Sequence, residues 1–405
     1  MKNKLHLYKH VFVLFLAISL FSGCTMFLTQ PPDKRETSLY LVPASHFPVF
    51  TDDMNYDSLE HCISQSLVYL NRLPASHEFQ FGNDSFDTLH LIKSLQVFLD
   101  FVKIRPASTD ITDFIKSNYN VYKSVGSTET RQVLFTGYYE PLLQGSLQKN
   151  EIYRFPVYAR PADLSVIDLS LFSPKLKGKK IIGRYTNPEF IPYYDREDID
   201  RKDLLTDNAQ PLAWVDDKVD LFFLQIQGSG KIFLDNGQII NVHYHISNGR
   251  PYRSIGNYLI KNGKITLAEM SMQKIREYLN QHPDEIDIIL NYNPSYVFFK
   301  LEEDGPYGCL EVKLTPGRSI ALDREIFPSA ALGFITTKIP LIDGDAKIHT
   351  WADVSRFVLN QDTGGAIQGP GRADLFWGNG SYAEIAAGHM KHSGDLYFLV
   401  LKPRG

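Results

Sequence analysis

The stretch Gln361-Asp362-Thr363-Gly364-Gly365-Ala366-Ile367-Gln368-Gly369-Pro370-Gly371-Arg372-Ala373-Asp374-Leu375-Phe376-Trp377-Gly378 carries two aspartates twelve positions apart, with glycines, a proline and one basic residue between them. Glycine admits positive φ and lets backbone approach a ligand closely. A carboxylate presented on such a loop is more often functional than one on a solvated helix face. A third aspartate, Asp323, sits upstream in the turn-rich Ala321-Leu322-Asp323-Arg324-Glu325-Ile326-Phe327-Pro328. Spacing alone does not bring the three together. Taken singly, each reads first as a turn residue or a structural hydrogen-bond acceptor.

Upstream, the texture is β-rich. Val133 to Tyr139 reads as a buried strand. Short β-runs follow at Pro156–Ala159, Leu221–Ile226 and Ile232–Leu234, and Asp235-Asn236-Gly237 marks a hairpin turn before Ile239. Two helices interrupt this texture. One runs from near Ser254 to Gly263; the next opens on the capping box Thr266-x-x-Glu269 and ends before Pro283. Strands resume from about Val297. Before residue 120, three helices are expected. The first opens on Asp57-x-x-Glu60 and ends by Pro74, the second spans Phe86 to Val102, and the third starts near Thr109. The sum is an α+β chain, mainly β, with a barrel. No internal repeat or low-complexity tract stands out.

The N-terminus reads as an export signal. Lys2, Lys4 and Lys9 precede the apolar run Val11–Leu20, which is short for a membrane span. Phe21-Ser22-Gly23-Cys24 resembles a bacterial lipobox, with Phe21 where leucine is usual; a plain secretory signal is the alternative. A lipidated Cys24 would anchor the chain to a membrane. Thr25, rather than Asp, then implies the periplasmic face of the outer membrane. Residues 1–23 are thus read as signal and 24–45 as a polar, proline-containing tether.

The rest, roughly 380 residues, suffices for two domains. The net charge of −4 argues against a nucleic-acid partner. Aromatics make up 13% of the chain, which suits a β core and also stacking on sugars. Cys62 and Cys309 could pair in an oxidising compartment. No Cys/His cluster completes a zinc site, and His243 and His245 read as ordinary strand residues. No metal or organic cofactor is implied, and a monomer is the default.

Ordered motifs give the chain a resemblance. They are Thr136-Gly137-Tyr138-Tyr139-Glu140-Pro141, Gln225-Ile226-Gln227-Gly228-Ser229-Gly230, Tyr252-Arg253-Ser254-Ile255-Gly256, Met270–Ile275, Asn293–Phe299, Asp323-Arg324, Asp362–Ile367, Arg372-Ala373-Asp374 and Ala387-Gly388. Together they resemble the MltA family of membrane-bound lytic transglycosylases, which cleave peptidoglycan glycan strands. The resemblance covers about residues 130–403. It implies a double-psi β-barrel interrupted by a smaller β-domain, with the glycan in the groove between them. The barrel domain would take residues 46–140 plus 299–405, with a "3D" module at about 310–403, and the insertion residues 141–298. The module's three aspartates map onto Asp323, Asp362 and Asp374, and the catalytic acid/base maps onto Asp374.

One carboxyl suffices for such a reaction, because the C6 hydroxyl of the muramoyl residue attacks its own C1 and no water need be held. Asp362 or Asp323 is expected to raise the Asp374 pKa by its charge, or to fix Asp374 by a hydrogen bond. Thr136, Tyr139, Gln225, Gln227, Gly228, Ser229, Gly230 and Trp377 are candidates to line the glycan groove, each with an ordinary strand or core reading beside it. Trp214 is a further ring that could stack. Ser229 is not on a nucleophile elbow, since Gln227 and Lys231 stand where that turn needs glycine. Two alternatives stay open. One is an inverting hydrolase pairing Asp374 with Asp362 or Glu384; the other is a non-catalytic murein-binding lipoprotein. Membership of a wall-synthesis or division complex is left open.

Overall fold

The computed structural model describes residues 38–205, 208–343 and 347–403. The signal segment and Cys24 lie outside the described residues. So does the tether, except for residues 38–45. These depart from expectation, because Leu39–Leu41 is a strand paired with Tyr119–Ser124. Leu39 and Val42 are buried, which draws this segment into the core.

Six strands close on themselves. Lys391–Leu401 pairs with Leu332–Ile342, which pairs with Ile348–Asp362. Ser319–Ala321 lies parallel to the end of that strand and antiparallel to Arg372–Asn379. Arg372–Asn379 runs parallel to Val133–Glu140, and Val133–Glu140 returns to Lys391–Leu401. The final strand serves two neighbours along one edge: Lys391 to Gly394 pairs with Val133–Glu140, and Tyr397 to Leu401 with Tyr119–Ser124. Closure removes the free edges of the sheet. The interior alternates along each strand, as at Ala373, Leu375 and Trp377, all buried. Helices Leu59–Leu70, Thr88–Val102 and Ser108–Asn118 pack on the same core.

A second six-stranded sheet, built from residues 142–302, runs in the order 297–302, 239–247, 229–234, 142–146, 211–215, 155–158. A bridge between Ala159 and Phe299 joins its two edges. Four helices cluster beside it around Phe222, Leu259, Leu279 and Leu290. A third sheet of three strands, Ser165–Asp168, Lys180–Thr186 and Glu189–Pro192, is hydrogen-bonded to neither and packs through Ile182 on the cluster of Tyr193, Ile246 and Phe298. The class is therefore α+β, mainly β, with a closed barrel, as expected.

Local expectations fail in instructive places. Leu221–Ile226 is not a strand but part of the helix Lys218–Gln227. Leu221 to Gln225 are all buried, and an apolar run buried all round has no readable period. The ends decide instead: the Asp217 carboxylate accepts from Val219 N and Asp220 N, and Gly228 closes the helix at φ 83°. Asp57 caps nothing, because its carboxylate takes Arg105 at 2.6 Å and Ser58 opens the helix. The second helix starts at Thr88 rather than Phe86, which belongs to the strand Asp84–Asp87. Thr266 and Glu269 do bond reciprocally, but around a turn; the following helix starts at Met272 with Ser271 as its cap. Cys62 and Cys309 are both free thiols, Cys62 being buried with its Sγ donating to Gln361 Oε1 at 3.3 Å.

Candidate active site

The barrel brings Asp362 and Asp374 to either side of one strand. Ala321 is in register with Asp374 on one side and with Asp362 on the other. Two strand spacings put their backbones roughly 9.5 Å apart. Thr136 pairs with Asp374 from the far side. Alternation along Val133–Glu140 then presents three polar groups. The Thr136 hydroxyl donates to Asp374 Oδ1 at 2.8 Å, and the Tyr138 hydroxyl donates to Asp362 Oδ2 at 2.9 Å. The buried Glu140 carboxylate takes Asn379 at 3.1 Å and Lys231 at 3.4 Å.

Burial of Asp374 pushes its pKa up to about 7. The Thr136 hydroxyl and the Arg372 guanidinium pull it down, and the charge of Asp362 adds a smaller upward push. Asp362 is pushed up to about 6, again by burial, and is held back by Cys309 N, Thr363 N and the Tyr138 hydroxyl. At neutral pH Asp374 is thus about half protonated while Asp362 is mostly ionised. One carboxyl can give a proton and take one back; burial keeps it proton-rich, with a smaller push from its neighbour.

Asp323 does something else. Its carboxylate accepts from Glu325 N at 3.0 Å and from Gly369 N at 2.8 Å, which fastens the glycine-rich loop between the other two aspartates. The hydrogen-bond partner of Asp374 is Thr136, not Asp362 or Asp323. Gln227, at the end of the helix Lys218–Gln227, ties that helix to the barrel, its Oε1 accepting from Tyr139 N at 3.0 Å. Ser229 bonds His243 Nδ1 at 2.8 Å across a strand pair, so this histidine is held by a neighbour on the sheet. Gly228 is the helix cap, and a Cβ at Gly230 would run into Leu224 and the Pro141 carbonyl.

Gln227, Ser229, Tyr138, Glu140, Tyr307 and Asp362 share one cleft. Tyr139 adds to its wall, but its ring is buried on the opposite face of the strand and its hydroxyl lies beside Glu384 and Arg276. Glu384 lies on the helix Ser381–His389, which meets the helix Met272–Gln281 where Gln273 Nε2 donates to the Glu384 carbonyl at 3.0 Å. Gln225 is buried against Tyr296, and Trp377 is buried against Gly137 and Tyr382. Both serve packing in this structure. Trp214 lies under Lys149, 5.1 Å from ring centre to Nζ. A roomier cavity of about 620 Å³ lies among Glu197, Arg201, Tyr258, Asp287 and Tyr292, but its carboxylates are already taken by Arg201 and Lys218.

Sequence reasoning missed Tyr138, Glu140 and Arg372. The signal was available: residues 136, 138 and 140 share a face by the strand's period of two, as do 372 and 374. Arg372 Nη2 reaches the Thr136 hydroxyl at 3.4 Å, so a chain runs from Arg372 through Thr136 to Asp374.

Fold and cleft together define a β-barrel enzyme equipped for acid–base chemistry. Residues 134–300 match the MltA specific insert domain and residues 318–400 the 3D domain. The chain belongs to the MltA family. It is 30% identical over 283 residues to the membrane-bound lytic murein transglycosylase A of Vibrio cholerae, covering 68% of each chain. Over 302 residues it is 28% identical to the Escherichia coli (strain K12) protein of the same name, covering 73% of each. The crystal structure of a membrane-bound lytic murein transglycosylase from Agrobacterium tumefaciens aligns with TM-score 0.72 at 28% identity, over 90% of this chain and 98% of that one. Escherichia coli MltA with bound chitohexaose aligns with TM-score 0.68 at 25% identity, over 92% and 98%.

Proposed function

We propose that this chain cleaves the β-1,4 bond between N-acetylmuramic acid and N-acetylglucosamine in peptidoglycan, leaving 1,6-anhydromuramoyl ends, with Asp374 as acid and then base. The observation that carries this reading is one carboxyl poised at about pH 7 by burial and hydrogen-bonded by Thr136. Protonated Asp374 gives its proton to the glycosidic oxygen as the bond to C1 breaks. The resulting carboxylate takes the proton of the C6 hydroxyl as that oxygen closes on C1, which restores the acid without water.

Asp362 sets the local charge, and Asp323 holds the loop. Gln227, Ser229, Tyr138 and Glu140 line the glycan groove between a barrel domain (46–140 plus 299–405) and the inserted domain (141–298). Cys24 carries the lipid anchor at the outer membrane. The relatives' names support membrane attachment, since they are called membrane-bound.

The pH dependence tests the assignment. Because the acid form starts the reaction, kcat/KM falls as pH rises through about 7. Asp362→Asn removes a like charge and moves that limb to lower pH, though only partly, since burial is the larger cause. Thr136→Val removes the donor that favours the carboxylate and moves the limb to higher pH. A limb unmoved in both variants would assign it to another group.

A further inference from the structure

From Leu169 to Pro188 the chain carries Lys175, Lys177, Lys179, Lys180 and Arg184 and no acidic residue. This segment forms the tip of the separate three-stranded sheet. Asp168 lies opposite Lys180, and Leu169 N donates to Lys179 O at 2.9 Å, so residues 169–179 make a closed loop. The loop is braced. Leu169–Leu171 and Pro174–Leu176 are 3₁₀ turns, capped by the Asp168 and Ser173 side chains. At its end Leu171 is 83% exposed and Phe172 74%, the most exposed large apolar residues among those described. The four lysines are exposed too and form no ion pair within hydrogen-bonding reach among the described residues. Ile181 and Tyr185 extend the exposed apolar surface down one face of the sheet; Val166, opposite Ile182, is exposed on the other.

An ordered loop holding a leucine and a phenylalanine in water keeps an unfavourable contact that only an apolar partner removes. Clustered lysines beside those two residues narrow the choice of partner. We infer that the 169–180 tip docks on an anionic lipid bilayer, Leu171 and Phe172 entering the headgroup–acyl boundary and the lysines meeting lipid phosphates. An acidic glycan or peptide would satisfy the lysines and leave Leu171 wet. A neutral apolar protein surface would bury Leu171 and leave four charges unanswered. The inference stands apart from the cleavage reaction and from acylation at Cys24. Its effect would be to fix the orientation of the body on the membrane, which a tethered lipid alone leaves free.

The test uses the full chain bound to vesicles. Hydrogen exchange at residues 169–180 is compared on phosphatidylcholine vesicles and on vesicles containing phosphatidylglycerol. Protection is expected only with phosphatidylglycerol. It is lost in L171S/F172S and in 0.5 M salt, and it weakens by about fivefold for each lysine replaced by glutamine. Cleavage of soluble glycan stays at the wild-type rate in these variants, which separates the tip from the reaction. Two results would overturn the inference: unchanged exchange at the tip while the protein floats with anionic vesicles, or protection by lipid-free sacculi in place of vesicles.

Discussion

Asp374→Asn lowers kcat by at least about a thousandfold while glycan binding changes little, because the variant loses both proton transfers and keeps the shape of the site. The same substitution stabilises the fold at alkaline pH. A buried carboxyl whose pKa rises from 3.8 to about 7 on folding costs nothing when both states are protonated, below about pH 4. The cost grows as pH rises through that interval and is complete above 7. Asn carries no such cost, so the variant gains about 2–4 kcal/mol at pH 8 and nothing at pH 4. Denaturant unfolding at the two pH values reads the difference. A merely structural aspartate would show the opposite sign, with loss of stability at both.

Asp52→Ala has the largest expected effect on stability. Arg318 and Asp52 are both fully buried, and their paired bonds measure 2.6 and 2.7 Å. Arg318 also donates to Asp57 O and Phe357 O, and Asp52 accepts from Met54 N, Tyr56 N and Phe357 N. Removing the carboxylate strands a buried guanidinium, at a cost of about 3–5 kcal/mol. Arg318 immediately precedes Ser319–Ala321, the strand that separates Asp362 from Asp374. Activity should therefore fall even under conditions where the variant stays folded. Replacing both partners by leucine should cost much less than the single change, since no unpaired charge remains. Equal midpoints for D52A and wild type would remove the pair from this account.

That ion pair shows where the sequence stops being legible. Asp52 and Arg318 are 266 positions apart, and nothing local to either announces the other. The strands were readable where a short apolar run stands out, as in Val133–Glu140, and where Asp235-Asn236-Gly237 turns the hairpin. Lys218–Gln227 was misread because burial on every side erases periodicity, leaving only Asp217 and Gly228 to mark it. At the site, Asp362 and Asp374 were legible as aspartates beside a glycine-rich stretch, though the structure puts both in the strands that flank that loop. Their separate roles were not, because burial and the Thr136 and Tyr138 hydroxyls set their proton affinities, and these come from a strand more than 220 residues earlier. Gln225 falls in a matched motif and Trp377 lies three residues from Asp374, yet both are buried, which neither motif membership nor sequence proximity reveals.

The central claim is intramolecular attack governed by one aspartate. The most direct measurement digests purified peptidoglycan with protein beginning after Cys24, alongside Asp374→Asn, and weighs the products by mass spectrometry. The account predicts 1,6-anhydromuramoyl ends from the wild type and intact glycan from the variant. Reducing ends, one water heavier, would contradict it and would turn attention to Asp362 as a base for water.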